Sequence, residues 1–131
     1  MSETAGRPIA PLRVTPDKYV PHRYAGASGD FNPIHIDGEF ARAVGLPGAI
    51  LHGLYVMSLV ARAATAEAGG DPRALKRLSV QFRGMSFPEQ EIEVTGEAVA
   101  DPDGRSETIA LEATQAETRV IRRGSALIER S

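Results

Sequence analysis

The run from Ala49 to Ala68, AILHGLYVMSLVARAATAEA, constrains this chain more than any other stretch. It is apolar on nearly every side and meets its first charge only at Arg62. A helix that is apolar all round belongs in the interior of a protein or in a membrane. A bilayer span needs about 20 consecutive apolar residues, and His52, Tyr55, Ser58, Arg62 and Thr65 interrupt the run well before that. The rest of the chain therefore has to enclose this helix, which Gly69-Gly70-Asp71-Pro72 brings to an end.

Beyond the helix the period of the apolar residues changes. Leu78, Val80 and Phe82 alternate with Ser79, Gln81 and Arg83, and Ile92 and Val94 alternate with Glu91, Glu93 and Thr95. Alternation of this kind marks half-buried strands. Asp101-Pro102-Asp103-Gly104 is a hairpin signal between strands near Ile92 to Ala100 and Glu107 to Ala116, and Val120 to Glu129 supplies a last strand. At 131 residues, 42% of them hydrophobic and 24% charged, the chain is one globular domain, residues 1–131. Residues 1–11, with Pro8 and Pro11, read as an extended N-terminal arm. A single small sheet covers so apolar a helix only by curling around it, which predicts an α+β domain with a curved antiparallel sheet wrapped around a long central helix. The helix is long for such a sheet, so a second copy or a relative is expected to dock alongside.

Between the arm and the helix lies the polar chemistry. Thr15-Pro16-Asp17 predicts a short helix from Pro16 toward Ala27, with Pro21 working against it. Asn32 precedes Pro33 and is pushed out of the helical region, so Asp30 to Ile36 is expected to be loop. Asp37 then caps a short helix carrying Phe40, Ala41 and Val44, ended by Gly45. Within six residues Asp30, Asn32 and His35 offer a carboxylate, a carboxamide and an imidazole. Taken singly, Asp30 and Asn32 are ordinary turn formers, and a lone His35 or His52 is more often structural than catalytic. His22, His35, His52 and Asp30 match no standard metal-ligand spacing, so no metal and no cofactor are expected.

The joint spacing changes that balance. Tyr24-x-x-x-Ser28-Gly29-Asp30-x-Asn32-Pro33-Ile34-His35, followed after five residues by Ala41, resembles the MaoC-like, (R)-specific enoyl-thioester hydratase family, whose fold is the hot dog. Ile50-x-His52-Gly53 and Ser58 stand at the spacing the family shows on entering its central helix. The resemblance implies reversible hydration of a trans-2-enoyl thioester, on coenzyme A or acyl carrier protein, to the (R)-3-hydroxyacyl thioester. It implies Asp30 and His35 as the catalytic pair, Asn32 as support for the loop, the Gly53 backbone N–H as donor to the thioester carbonyl, and Ser58 as a supporting hydrogen-bonder. It also implies a homodimer, or a heterodimer with another hot-dog subunit. Hydration needs a base for water, an acid for the alpha carbon and a donor for enolate charge, and these residue types supply all three. One departure stands out: the family's proline-glycine-acid turn after the first strand is replaced by Pro88-Glu89-Gln90.

Two rival readings share the thioester site. A hot-dog subunit that binds acyl thioesters without turnover has no need of both Asp30 and His35, and a hot-dog thioesterase has no need of the hydratase-type loop. Phe31, Tyr24 and Met57 fit either an acyl pocket or ordinary core. Arg73, Lys76, Arg77 and Arg83 fit either phosphate contacts or a solvated face. A net charge of −2 gives no footprint for nucleic acid. With no cysteine there is no thiolate nucleophile and no disulfide. The first residues carry no signal-peptide core, which makes the cytoplasm the expected location, away from any membrane.

Overall fold

The computed structural model describes residues 6–130, so the first five residues of the expected arm lie outside the described residues. In chain order the elements are β1 (Arg7–Pro8), β2 (Leu12–Val14), α1 (Val20–Ser28), α2 (Pro33–Ile36), α3 (Gly38–Ala43), α4 (Gly53–Ala66), β3 (Leu75–Phe82), β4 (Ile92–Ala100), β5 (Ser106–Gln115) and β6 (Thr118–Glu129). A turn of 3-10 helix, Pro72–Ala74, joins α4 to β3. The strands form one antiparallel sheet in the order β1-β4-β5-β6-β3, with β2 also paired to β4. The chain thus enters the sheet beside β4, leaves to build α1 to α4, re-enters at the far edge as β3, and crosses back to finish as the meander β4-β5-β6.

The predicted wrapping is what the side chains produce. Val56, Leu59, Val60, Ala63 and Ala64, spaced at three and four, are the buried face of α4. They meet Ile92, Val94, Ile109, Ile121 and Ile128, all fully buried on the inner face of the sheet. Burying each such side chain contributes about 1.5–3 kcal/mol, so the α4-to-sheet contact is the main stabilising layer. Along β4-β5-β6 the close packing requires small residues at one point. Gly96, Leu111 and Gly124 lie side by side in register, and a Cβ on Gly96 would stand 2.5 Å from the Ala110 carbonyl oxygen.

Three expectations are corrected. First, the central helix begins at Gly53 rather than Ala49, and only one of its faces is enclosed: Leu54, Ser58 and Arg62 lie away from the buried side. Residues 49–52 stay extended because their backbone groups bond elsewhere. Ile50 N–H donates to the Ile34 carbonyl at 3.0 Å and Leu51 N–H to the Ser86 carbonyl at 2.8 Å. Second, α1 starts at Val20, not Pro16. Pro21 falls in the first turn, where its missing N–H costs nothing. Third, the expected loop holds α2. Asn32 is non-helical, as the following proline demands, but Pro33 then opens a turn of helix that runs to Ile36.

Asp37 does cap α3, accepting from the Glu39 and Phe40 N–H groups, and Gly45 follows the helix at φ 97°. The described part of the arm, from residue 6, carries β1 and is clasped. Arg7 of β1 bonds Glu67 at 2.7 Å and Glu107 at 3.0 Å, while Arg130 bonds Glu107 at 2.7 Å from the other end of the chain. The departure at Pro88-Glu89-Gln90 has a backbone counterpart: Glu89 sits at φ 70°, a left-handed conformation natural to glycine.

Candidate active site

The segment between α1 and α3 is built by short side chains bonding nearby backbone. Asp30 N–H donates to Ser28 Oγ at 3.1 Å, Asn32 N–H to Asp30 Oδ1 at 3.2 Å, and Ile34 N–H to Asn32 Oδ1 at 3.2 Å. These successive Asx and Ser turns reverse the chain and cap α2. Their result is that Asp30 Oδ1 is engaged with backbone while Oδ2 points to His35 Nε2, 3.9 Å away. Asp30 is 54% exposed and His35 only 10% at the side chain, which places a solvated carboxylate against a sheltered imidazole.

The other face of the His35 ring is tied down. Nδ1 lies 2.9 Å from the Ile50 carbonyl oxygen. A carbonyl only accepts, so Nδ1 carries the proton, and in the neutral ring Nε2 holds the lone pair that faces Asp30. The separation of 3.9 Å between Nε2 and Oδ2 exceeds a direct hydrogen bond, leaving both atoms able to contact a third group.

His52 lies flat on His35, with ring centroids 3.8 Å apart and planes 20° from parallel. Tyr24 packs against His52 at 4.7 Å, and Tyr55 meets Tyr24 edge-on at 6.0 Å. Burial pushes the Tyr55 hydroxyl up from the ordinary tyrosine value, so that this wall stays uncharged. His52 Nε2 donates to the Asp30 backbone carbonyl at 3.0 Å. Ligand atoms of Asp30, His35 and His52 lie within 4.8 Å of one another. A metal bound by two imidazoles must lie in the plane of both, along their lone pairs. Stacked rings do not let those directions converge, so the trio is poorly arranged for coordination.

His35 forms one wall of a cleft of about 170 Å³ whose other walls include Leu51, Gly53, Val56, Phe82 and Ile121. Gly53 is the first residue of α4, and no side chain caps the helix there. Its N–H is among the first-turn amides that find no partner within a helix, at the positive end of the helix dipole. A Cβ on Gly53 would stand 3.2 Å from Phe82 Cε1, so the absence of a side chain keeps the cleft open. His35, an amide donor and apolar walls therefore share one opening, with the exposed Asp30 carboxylate beside it, 3.9 Å from His35 Nε2.

Of the residues singled out in the sequence, Asp30 and His35 face each other, His35 and Gly53 share the cleft, and Asn32 acts through the helix it caps. Ser58 is not brought to them: its hydroxyl donates to the Tyr55 carbonyl within α4, on the side turned from the core. Tyr24 packs on His52, Met57 packs on the core and Phe31 is 58% exposed, so none of the three lines the cleft. Arg73 pairs with Asp71 and is raised above the ordinary arginine value by that bond, on the solvated surface beyond the far end of α4. Three groups were missed. Gln115, buried on β5, bonds Phe87 N–H and the Phe87 and Gln90 carbonyls at 2.8, 2.8 and 3.0 Å, and pins the loop facing the cleft. The Ile50 carbonyl is backbone and has no sequence signature. His52 was visible in the His52-Gly53 pair but not its contact with Asp30.

The chain is similar to fatty acid synthase beta subunit TOXC of Cochliobolus carbonum, 40% identical over 85 residues, which is 62% of this chain and 4% of that protein. It is 44% identical over 62 residues to the peroxisomal enoyl-CoA hydratase 2 of Arabidopsis thaliana, 47% of this chain and 20% of that one. It thus spans only a small part of the curated relatives it matches. Among solved structures, a MaoC-like dehydratase superposes with a TM-score of 0.89 at 28% identity, over 97% of this chain and 40% of that one. The (R)-hydratase from A. caviae involved in PHA biosynthesis shares the fold, with a TM-score of 0.84 at 21% identity over 99% of this chain and 100% of the other. The model described as MaoC like domain matches residues 3–121. With the match running over nearly its whole length, the chain belongs to the MaoC-like dehydratase family.

Proposed function

We propose that this domain reversibly hydrates trans-2-enoyl thioesters of coenzyme A or acyl carrier protein to (R)-3-hydroxyacyl thioesters. The observation that carries the reading is the orientation of His35. Its Nδ1–H is committed to the Ile50 carbonyl, so Nε2 faces Asp30 Oδ2 at the mouth of an apolar cleft. Water held against these two atoms loses a proton to the pair as its oxygen bonds the beta carbon. The electron pair of the double bond moves toward the thioester carbonyl, and the charge on that oxygen is met by the Gly53 N–H. The pair then returns a proton to the alpha carbon. Dehydration is the same path reversed.

The test is loss of enoyl-thioester absorbance when the purified chain meets crotonyl-CoA, a medium-chain enoyl-CoA and the matching carrier-protein thioesters, with the alcohol's configuration determined. Asp30→Asn and His35→Gln are each expected to lower kcat by at least about a hundredfold with the fold retained. Release of free thiol in place of an (R)-alcohol would move the site to a thioesterase. No turnover with any of these substrates, from folded protein, would overturn the stand-alone hydratase.

A partner belongs to the same proposal. Phe82 and Met85, which line the cleft, are 48% and 46% exposed, and Leu54 at the start of α4 is 61% exposed. Strand β3 ends the sheet beside them. Apolar exposure beside an open strand edge favours docking of a second hot-dog chain. Sedimentation of the purified chain is expected to show a dimer that Leu54→Asp weakens, and a monomer that gains activity only with another hot-dog subunit would select the heterodimer.

A further inference from the structure

His52 is buried to 2% exposure, yet the hydration chemistry above makes no use of it. Its Nε2–H is given to the Asp30 main chain, its face lies on His35, and its Nδ1 is buried with no partner among the described residues. A histidine that serves only to fill space does not need to leave a buried ring nitrogen unsatisfied, because an apolar ring of similar size avoids that cost. The cost is explained by what the other ring atoms hold.

We infer that His52 is the positioning residue of the site, an imidazole that fixes Asp30 by hydrogen bond and the His35 ring plane by stacking. The inference deepens the hydratase reading and rests on it for its kinetic consequence. Position in the chain adds a third link. His52 is the residue immediately before Gly53, and its carbonyl accepts from Tyr55 and Val56 N–H to start α4. One residue therefore spaces the carboxylate, the base and the amide donor relative to one another. When His35 takes a proton, the face of the His52 ring also lies against the new cation, a favourable arrangement for an aromatic plane.

The two contacts are separable. His52→Gln keeps an amide donor for the Asp30 carbonyl and loses the ring, while His52→Phe keeps the ring and loses the donor. Each is expected to lower kcat on the order of ten- to a hundredfold while KM changes by less than about threefold, since misplacement of reacting groups acts on the chemical step. Imidazole nitrogen NMR on the intact wild-type chain, without substrate, is expected to show a proton on His52 Nε2 hydrogen-bonded to the Asp30 carbonyl, and His35 as a single Nδ1–H tautomer. In His52→Gln, His35 is expected to lose that single Nδ1–H signature as its ring comes free of the stacked plane. A His52 whose Nε2 carries no hydrogen-bonded proton would overturn the proposal. So would folded variants with wild-type kcat, or a loss of activity that follows thermal stability while the His35 tautomer signature stays put. The NMR arm decides the matter if a variant fails to fold. It also decides it if the chain proves not to be a hydratase, so the two failures are distinguishable.

Discussion

Asn32 acts on the site through the backbone rather than by touching the cleft. Its Oδ1 caps the short helix that presents His35, so Asn32→Ala is expected to destabilise the domain by about 1 kcal/mol and to reduce kcat through a tilted imidazole. Asn32→Asp, which keeps the cap, should restore most of the stability. Chemical denaturation and single-substrate kinetics check both. Gly53→Ala is the converse case. The new methyl meets the half-exposed Phe82 ring, which can yield, so stability should change little. The methyl occupies the cleft at the donor amide, and kcat/KM for an enoyl thioester is expected to fall by about tenfold or more. At this scale Asp30, Asn32, His35 and Gly53 stood out in the sequence through their joint spacing, since singly such residues are ordinary turn formers or structural. Ser58 was placed by the family's spacing, and it stands on the exposed side of α4 with its hydroxyl donating to the Tyr55 carbonyl.

Between elements, the loop from β3 to β4 has to cross the open end of the sheet, and two residues hold it. Gln115 saturates three backbone groups at Phe87 and Gln90. Gln115→Leu removes all three bonds, two of them to the half-buried Phe87, and is expected to cost about 1 kcal/mol, seen as a lower urea midpoint. Glu89 is strained in the opposite sense, because its φ of 70° suits glycine. Glu89→Gly is expected to raise stability by up to about 1 kcal/mol, and a loss of stability on that change would contradict the reading. Across β4-β5-β6, Gly124→Ala would bring a Cβ to 2.8 Å from the Leu111 carbonyl oxygen. The partner is backbone that cannot move freely, so about 1–3 kcal/mol of destabilisation is expected. Strand positions were legible from alternation, whereas α1 and α4 start later than their sequence patterns suggest. Boundaries of that kind are decided by where backbone groups find partners, as at Ile50 and Leu51.

Over the whole molecule, the ends of the chain are held by one buried carboxylate. Burial opposes ionisation of Glu107, yet the guanidinium groups of Arg130 and Arg7 outweigh it and hold the carboxyl below its ordinary 4.5. A depressed acid stabilises the fold fully above its unfolded value and loses that contribution as pH falls through the folded one. Glu107→Ala is therefore expected to lower thermal stability at about pH 7, with the gap to wild type closing as the pH drops below 4.5. Added salt should narrow it less than for an exposed pair, because Glu107 is mostly shielded. The sequence by itself determined the architecture, since an apolar helix followed by alternating strands has one economical way to bury its surface in a chain this short. It also determined the turns from Ser28 to Ile34, which are built from contacts between residues two apart. Only the tertiary structure decided the tautomer of His35, the stacking of His52, the clasp of Glu107 and the side of α4 left uncovered. Each of these joins residues at least 15 positions apart or depends on a backbone carbonyl, and no local pattern of side chains encodes which distant group will arrive.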